Sequence, residues 1–185
     1  MVEEAEETMN KRKLSHAELH FVRITPATCW SFLRLYTQDG RIGDGEATLF
    51  RKESEQRSVA ERLIPMALRE ASMEYPSEFA ARHAPSDRIE ASIISALDQA
   101  LWNLHAQSMG QPLANLLGVQ RERIRVYANI NRRTVSRSPV DFASSAFAAV
   151  SEGHNAFKLA PFDEVSNEIC SQGDGVKAMQ AGLDR

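Results

Sequence analysis

The segment from Pro85 to Gly110 limits the fold more than any other. Ile89, Ile93, Leu97, Ala100, Leu101 and Leu104 recur at spacings of three and four, the period of one helix face. Pro85-Ser86-Asp87 opens this helix, and Gly110 stands where a left-handed C-cap is wanted. A helix with one apolar stripe must bury that stripe against another element.

The partner precedes it in the chain. Leu19, Phe21, Val22 and Ile24 read as a strand ending near Pro26, and Thr28 to Thr37 (TCWSFLRLYT) as a second. Asp39-Gly40 is a hairpin turn signal, and Arg41 to Thr48 is a third short strand. In it, Gly43 and Gly45 suit a close backbone approach or a bulge. These segments predict a three-stranded antiparallel meander. Ser54 can cap a helix running to about Ile64, with Val59, Ala60, Leu63 and Ile64 on one face. Pro65 then interrupts that helix or starts the next turn. Pro76-Ser77-Glu78 opens a short helix, and Pro112 to Leu117 forms a brief one closed by Gly118.

After Gly118 the pattern changes. Ile124 to Ile130 reads as a strand, and Ser138-Pro139 opens a helix through Phe142, Phe147 and Val150 that stops at Gly153. Ala156 to Leu159 is a short apolar strand, and another helix starts near Gly175-Val176. Strand–helix–strand–helix is the order of parallel α/β packing. The last helix is still in progress at Arg185 and no third parallel strand follows. Two parallel strands cannot make a sheet with both faces covered, so the expectation is the front part of a larger protein.

Composition narrows the function. With 43% hydrophobic and 25% charged residues, the chain is neither disordered, collagen-like nor a coiled coil. No apolar run approaches the roughly 18 residues of a membrane span. The opening MVEEAEETMNKRK has no apolar core for a secretory signal. Cys29 and Cys170 lie far apart and form no metal-type cluster, so a reduced, cytoplasmic protein is expected. A net charge of −3 argues against a nucleic-acid binder working through bulk charge.

Several motifs together resemble the enolase superfamily, in its mandelate racemase and muconate-lactonizing branch. They are Ala96-Leu97-Asp98-Gln99-Ala100-Leu101-Trp102-Asn103-Leu104, Gly110-Gln111-Pro112-Leu113 and Leu116-Leu117-Gly118. Gly43-Asp44-Gly45-Glu46-Ala47 resembles the end of that family's third meander strand. Val126-Tyr127-Ala128 resembles its first barrel strand, and Gly153 to Leu159 (GHNAFKL) the entry to its second. The resemblance implies an α+β capping domain, a three-stranded antiparallel meander plus helices, followed by the start of an α/β (TIM-like) barrel that is apparently truncated. The expected divisions are a disordered tail over 1–15, the capping domain over 16–118 and an incomplete barrel over 119–185.

The same resemblance implies an activity. A complete relative would use Mg²⁺ while a base removes the proton alpha to a carboxylate, with the metal ligands on later strands outside this chain. Lys158 matches the first lysine of the family's K-x-K motif, which meets the substrate carboxylate, and is the one catalytic candidate, with a plain solvated lysine as the alternative. It is expected to face into the barrel mouth, with Phe157 and Leu159 toward the surrounding helices. Position 160 is alanine where racemase-like members carry a second lysine, so dehydration of a sugar acid or hydroxy acid is favoured. Racemisation or epimerisation, cycloisomerisation and a non-catalytic fragment remain alternatives.

Asn129 and Asn131, with Arg132 and Arg133, follow the first barrel strand and suit a polyhydroxylated acid, or form an ordinary polar loop. Thr28 and Trp30 in the segment Thr25 to Trp30, and Phe50 in Leu49 to Glu53, match the two capping loops as substrate-binding candidates. Core packing explains Trp30 and Phe50 equally well. Asp163 and Glu164 could touch a ligand or be solvated. His20, His105 and His154 have no partner at metal-ligand spacing, and Asp98 and Trp102 read as packing and capping residues. No residue of the chain is assigned to a metal. The expected partner is a small-molecule carboxylic acid, without nucleic acid or membrane, and the complete protein is expected to be a homo-oligomer.

Overall fold

The computed structural model describes residues 13–26, 28–134, 136–163, 165–171 and 173–185. The chain divides into two compact units, Met1–Gln120 and Arg121–Arg185.

The first unit is built on an antiparallel sheet of order β1-β2-β3: β1 Leu14–Thr25, β2 Thr28–Thr37 and β3 Ile42–Glu46. Alternation along β2 is nearly complete. Cys29, Ser31, Leu33, Leu35 and Thr37 are buried, while Thr28, Trp30, Phe32, Arg34 and Tyr36 face the other side. The turn into β3 places Gly40 at φ +84°, and the Thr37 hydroxyl accepts from the Arg41 N–H at 2.9 Å.

Two helices cover the buried face. Helix α1 spans Glu53–Glu70 and α3 spans Arg88–Ser108, with the short α2 (Glu78–Arg82) between them and α4 (Leu113–Leu116) after them. Asp87 caps α3 by accepting from the N–H groups of Ile89 and Glu90, both at 2.8 Å. Gly110, at φ +63°, follows the helix end. The predicted stripe is the core: Ile93, Leu97, Ala100, Leu101 and Leu104 are fully buried, with Leu33, Leu35, Leu63, Ala67 and Phe79 around them.

Gly43 and Gly45 make the sheet–helix approach possible. A Cβ at Gly43 would lie 2.3 Å from the Ala100 carbonyl oxygen, and one at Gly45 would lie 2.0 Å from that of Ala96. The glycines of β3 and the alanines of α3 are thus two halves of one contact. The expectation of a close backbone approach holds.

Other expectations need correction. Ser54 is not the cap of α1; Lys52 occupies that position, with no side-chain hydrogen bond. Pro65 does not end the helix, which runs on to Glu70. Pro65 lies on the exposed side, where the carbonyl left without a donor can meet water, while Leu63 and Ala67 continue the buried face. The segment Thr25 to Trp30 is not a loop: Thr25 pairs with Thr28, and β2 begins there. Leu14 already belongs to β1 and pairs with Thr37, so Leu14 and Ser15 are not part of the tail expected over 1–15. Residues 1–12 lie outside the described residues, as do Ala27 and Glu164.

The second unit holds two short parallel strands, β4 (Ala128–Asn129) and β5 (Phe157–Lys158). Its helices are α5 (Ile130–Arg133), α6 (Pro139–Ser151), α7 (Asn167–Ser171) and α8 (Gly175–Leu183). Ser138 caps α6 by accepting from the Asp141 N–H at 3.2 Å, with Pro139 in the first turn as predicted. Ile130, Phe142 and Ala149 form a small core.

The strands are shorter than expected. Ile124 and Val126 are exposed, Ile124 at 81%, and Ile130 has already turned into α5. Among the described residues each strand has a single neighbour, and the ladder covers two residue pairs. Helix α7 was not anticipated; its signal is Ser166, whose hydroxyl accepts from the Ile169 N–H at 3.2 Å. Among the described residues, no helix is long and apolar enough to cross a membrane.

Candidate functional site

The register of the parallel pair sets the site in the second unit. Ala128 is opposite Phe157 and Asn129 is opposite Lys158, so the amide and the ammonium side chain stand side by side at the C-terminal ends of β4 and β5. In parallel barrels these ends carry the chemistry. Both residues are exposed. The Lys158 ammonium lies 5.9 Å from the centre of the Tyr127 ring, within cation–π range. Its chain neighbours Phe157 and Leu159 are 39% and 41% exposed.

Beyond the strand ends lies a hydrogen-bonded cluster that the sequence reading missed. Arg137 donates from Nη1 to the Asn131 Oδ1 at 2.7 Å and from Nη2 to the Ala160 carbonyl at 2.6 Å. The Ala160 N–H also donates to Asn131 Oδ1, at 3.2 Å. Asn131 Nδ2 donates to Asp163 Oδ2 at 2.8 Å, and Arg137 Nη1 lies 3.7 Å from the same oxygen. The guanidinium stacks 5.1 Å over the Phe142 ring. Asn131 and Asp163, named separately from the sequence, are thus brought together; Asn129 and Lys158 are paired in register. The side chains of Arg132 and Arg133 lie outside those described. Nothing in the order Ser136-Arg137-Ser138 singled out Arg137.

In the first unit, Thr28, Trp30 and Phe50 share one end of the meander. Antiparallel pairing places the start of β2 beside the chain leaving β3. The Ala47 N–H donates to the Ser31 carbonyl at 2.8 Å, and the Ser31 N–H to the Thr48 hydroxyl at 3.1 Å. A buried amide locks this end. Gln56 Oε1 accepts from the Ser31 hydroxyl at 2.8 Å, while its Nε2 donates to the Ala47 carbonyl and, at 3.0 Å, to the Ser92 hydroxyl. A signal for Gln56 was present: it falls on the same α1 stripe as Ala60, Leu63 and Ala67, where a lone polar residue needs buried partners.

Phe50 is 71% exposed beneath the Arg51 guanidinium, and Trp30 is 42% exposed with its ring edge-on to Phe32. Neither belongs to the core. Thr28 is half-buried at the start of β2.

Three further candidates have structural partners. His20 lies 3.0 Å from Glu18, His105 Nδ1 lies 2.8 Å from the Met73 carbonyl, and Trp102 Nε1 donates to the Ser77 hydroxyl at 2.8 Å. Asp98 Oδ1 is buried without a hydrogen-bond partner among the described residues. Among the described residues no three His, Cys, Asp or Glu side chains come together as metal ligands would. They therefore do not fit a Mg²⁺ ion.

Residues 11–118 match the family described as "Mandelate racemase / muconate lactonizing enzyme, N-terminal domain". The chain is 34% identical over 146 residues to the D-gluconate dehydratase of Thermoproteus tenax, covering 76% of this chain and 29% of that protein. It is 26% identical over 153 residues to the D-galactonate dehydratase of Variovorax paradoxus, covering 80% of this chain and 38% of the relative. The chain thus spans about a third of the length of these curated relatives. A solved mandelate racemase/muconate lactonizing enzyme from Sulfitobacter sp. superposes with a TM-score of 0.71 at 21% identity, over 92% of this chain and 50% of that one.

Proposed function

Since the chain belongs to the mandelate racemase/muconate lactonizing enzyme family of the enolase superfamily, we propose that it contributes the capping domain and the opening strands of a barrel to a sugar-acid dehydratase. The observation that supports this reading best is the parallel register that sets Asn129 beside Lys158 at the C-terminal strand ends. Relatives named for D-gluconate and D-galactonate dehydration support the same reaction class.

The reaction removes the proton alpha to the carboxylate and expels the neighbouring hydroxyl as water. The resulting enol tautomerises to a 2-keto-3-deoxy acid. Charge builds on the carboxylate as the alpha proton leaves, and a fixed cation nearby lowers that barrier. Lys158 supplies the cation from this chain, and Asn129 offers an amide to the acid's hydroxyls. Ala160 leaves no second lysine two residues on, which withholds the base of a racemase and favours elimination. The described residues hold no ligand set for Mg²⁺.

The test is to purify the protein from its native source and incubate it with Mg²⁺ and, in turn, D-gluconate, D-galactonate and D-mannonate. Conversion of at least one to its 2-keto-3-deoxy acid is expected. Folded protein that consumes none of the three contradicts the dehydratase reading.

A further inference from the structure

Resting on the sugar-acid reading for the identity of the acid, we propose that Asn131 and Arg137 form a carboxylate-binding fork, which Asp163 fills in this structure and which the substrate's carboxylate takes over.

The donors are arranged for a carboxylate. Asn131 Nδ2 donates to Asp163 Oδ2 at 2.8 Å, and Arg137 Nη1 stands 3.7 Å from the same oxygen. An amide N–H and a guanidinium converging on one carboxylate oxygen are a charge-assisted donor set.

The donors are also held in place. Asn131 Oδ1 accepts from both Arg137 Nη1 and the Ala160 N–H, which fixes the amide orientation and turns Nδ2 outward to Asp163. Arg137 is anchored through Nη2 to the Ala160 carbonyl and through its ring contact with Phe142. Its own carbonyl accepts from Arg185 Nε at 2.7 Å, and Arg185 Nη1 reaches the Pro161 carbonyl at 2.5 Å. Arg137 stands at φ +59°, a left-handed conformation that side chains with a Cβ seldom adopt. Such a conformation persists where surrounding contacts over-determine it, as they do here.

The present occupant is held less tightly. Asp163 is on the loop after β5 with its side chain 52% exposed, and exposed ion pairs contribute little. An external carboxylate can replace it without breaking the bonds among Asn131, Arg137 and Ala160. Asn131 and Ala160 each come two residues after the paired Asn129 and Lys158, so the fork belongs to the same strand ends as the lysine. Asp163 then acts as an internal competitor that keeps the fork filled until the acid arrives.

The test uses the ¹⁵N-labelled chain, titrated with sodium acetate, D-gluconate and the uncharged polyol D-glucitol. The Asn131 side-chain amide and the Ala160 backbone amide are followed. Both carboxylates are expected to shift these resonances, and D-glucitol to leave them in place. Asp163→Ala removes the competitor and should saturate at about 3–10-fold lower ligand concentration. Asn131→Asp keeps an oxygen for Arg137 and for the Ala160 N–H but replaces the donor with a negative charge; its saturable response should vanish. An Asp163→Ala chain that binds no tighter than the parent overturns the proposal, as does an Asn131→Asp chain that binds equally well. Equal affinities for acetate and D-gluconate support the fork while removing its support for the sugar-acid reading. D-Gluconate binding that moves other resonances and not these overturns the fork and leaves that reading standing.

Discussion

Glu90, in the first turn of α3, shows how one side chain ties several elements together. Its carboxylate accepts from the hydroxyl and the N–H of Ser86, both at 2.6 Å, and pairs with Arg62 from α1. The Ser86 bonds first, then Arg62, push its pKa from the ordinary 4.5 down to about 2. A carboxyl with a depressed folded-state pKa stabilises the fold above its unfolded value. That contribution is lost as pH falls through the folded value. Comparing the parent with Glu90→Gln, the stability difference should be largest above about pH 5 and should shrink toward about pH 2. Denaturant unfolding across that range measures it, and a difference independent of pH would contradict the assignment.

At the scale of elements, the contact between β3 and α3 carries the first unit. Gly45→Ala would place a Cβ 2.0 Å from a backbone oxygen of α3, and backbone cannot swing aside as a long side chain can. Strand and helix would have to separate, at a cost of roughly 3 kcal/mol. Thermal unfolding should show a clear drop in Tm, and a Tm within about a degree of the parent would show that the contact yields. These elements were legible in the sequence because each carries a local signal: the α3 stripe, the Asp39-Gly40 turn, the Gly43 and Gly45 pair and the Ser138-Pro139 helix start. Pro65 misled because it lies on the exposed side of the helix, where the carbonyl left without a donor can meet water. Strands β4 and β5 came out shorter than their apolar runs, since ladder length depends on neighbours and not on the strand's own residues. In the candidate site, Lys158 was named through motif resemblance, and Asn129 and Asn131 through their place after the first barrel strand. Arg137 was not, because its role depends on a left-handed backbone and on partners between five and 48 positions away. Gln56 was legible in principle, as a polar residue on an apolar stripe.

At the scale of the whole molecule, each unit carries its own group of candidate residues. The first builds a sheet-and-helix domain whose Trp30 and Phe50 stand out from one end of the meander. The second offers two parallel strand ends bearing Asn129 and Lys158, with the Asn131–Arg137–Asp163 cluster beyond them. The assignment of Lys158 to the chemistry is central, and one substitution tests it directly. Lys158→Met keeps most of the side-chain volume and removes the charge. In the native protein acting on its preferred sugar acid, turnover should fall at least about 100-fold, the scale of losing a transition-state charge partner, with unchanged circular dichroism. Turnover within a few-fold of the parent would make Lys158 a bystander and would contradict the proposed mechanism at its only catalytic residue in this chain.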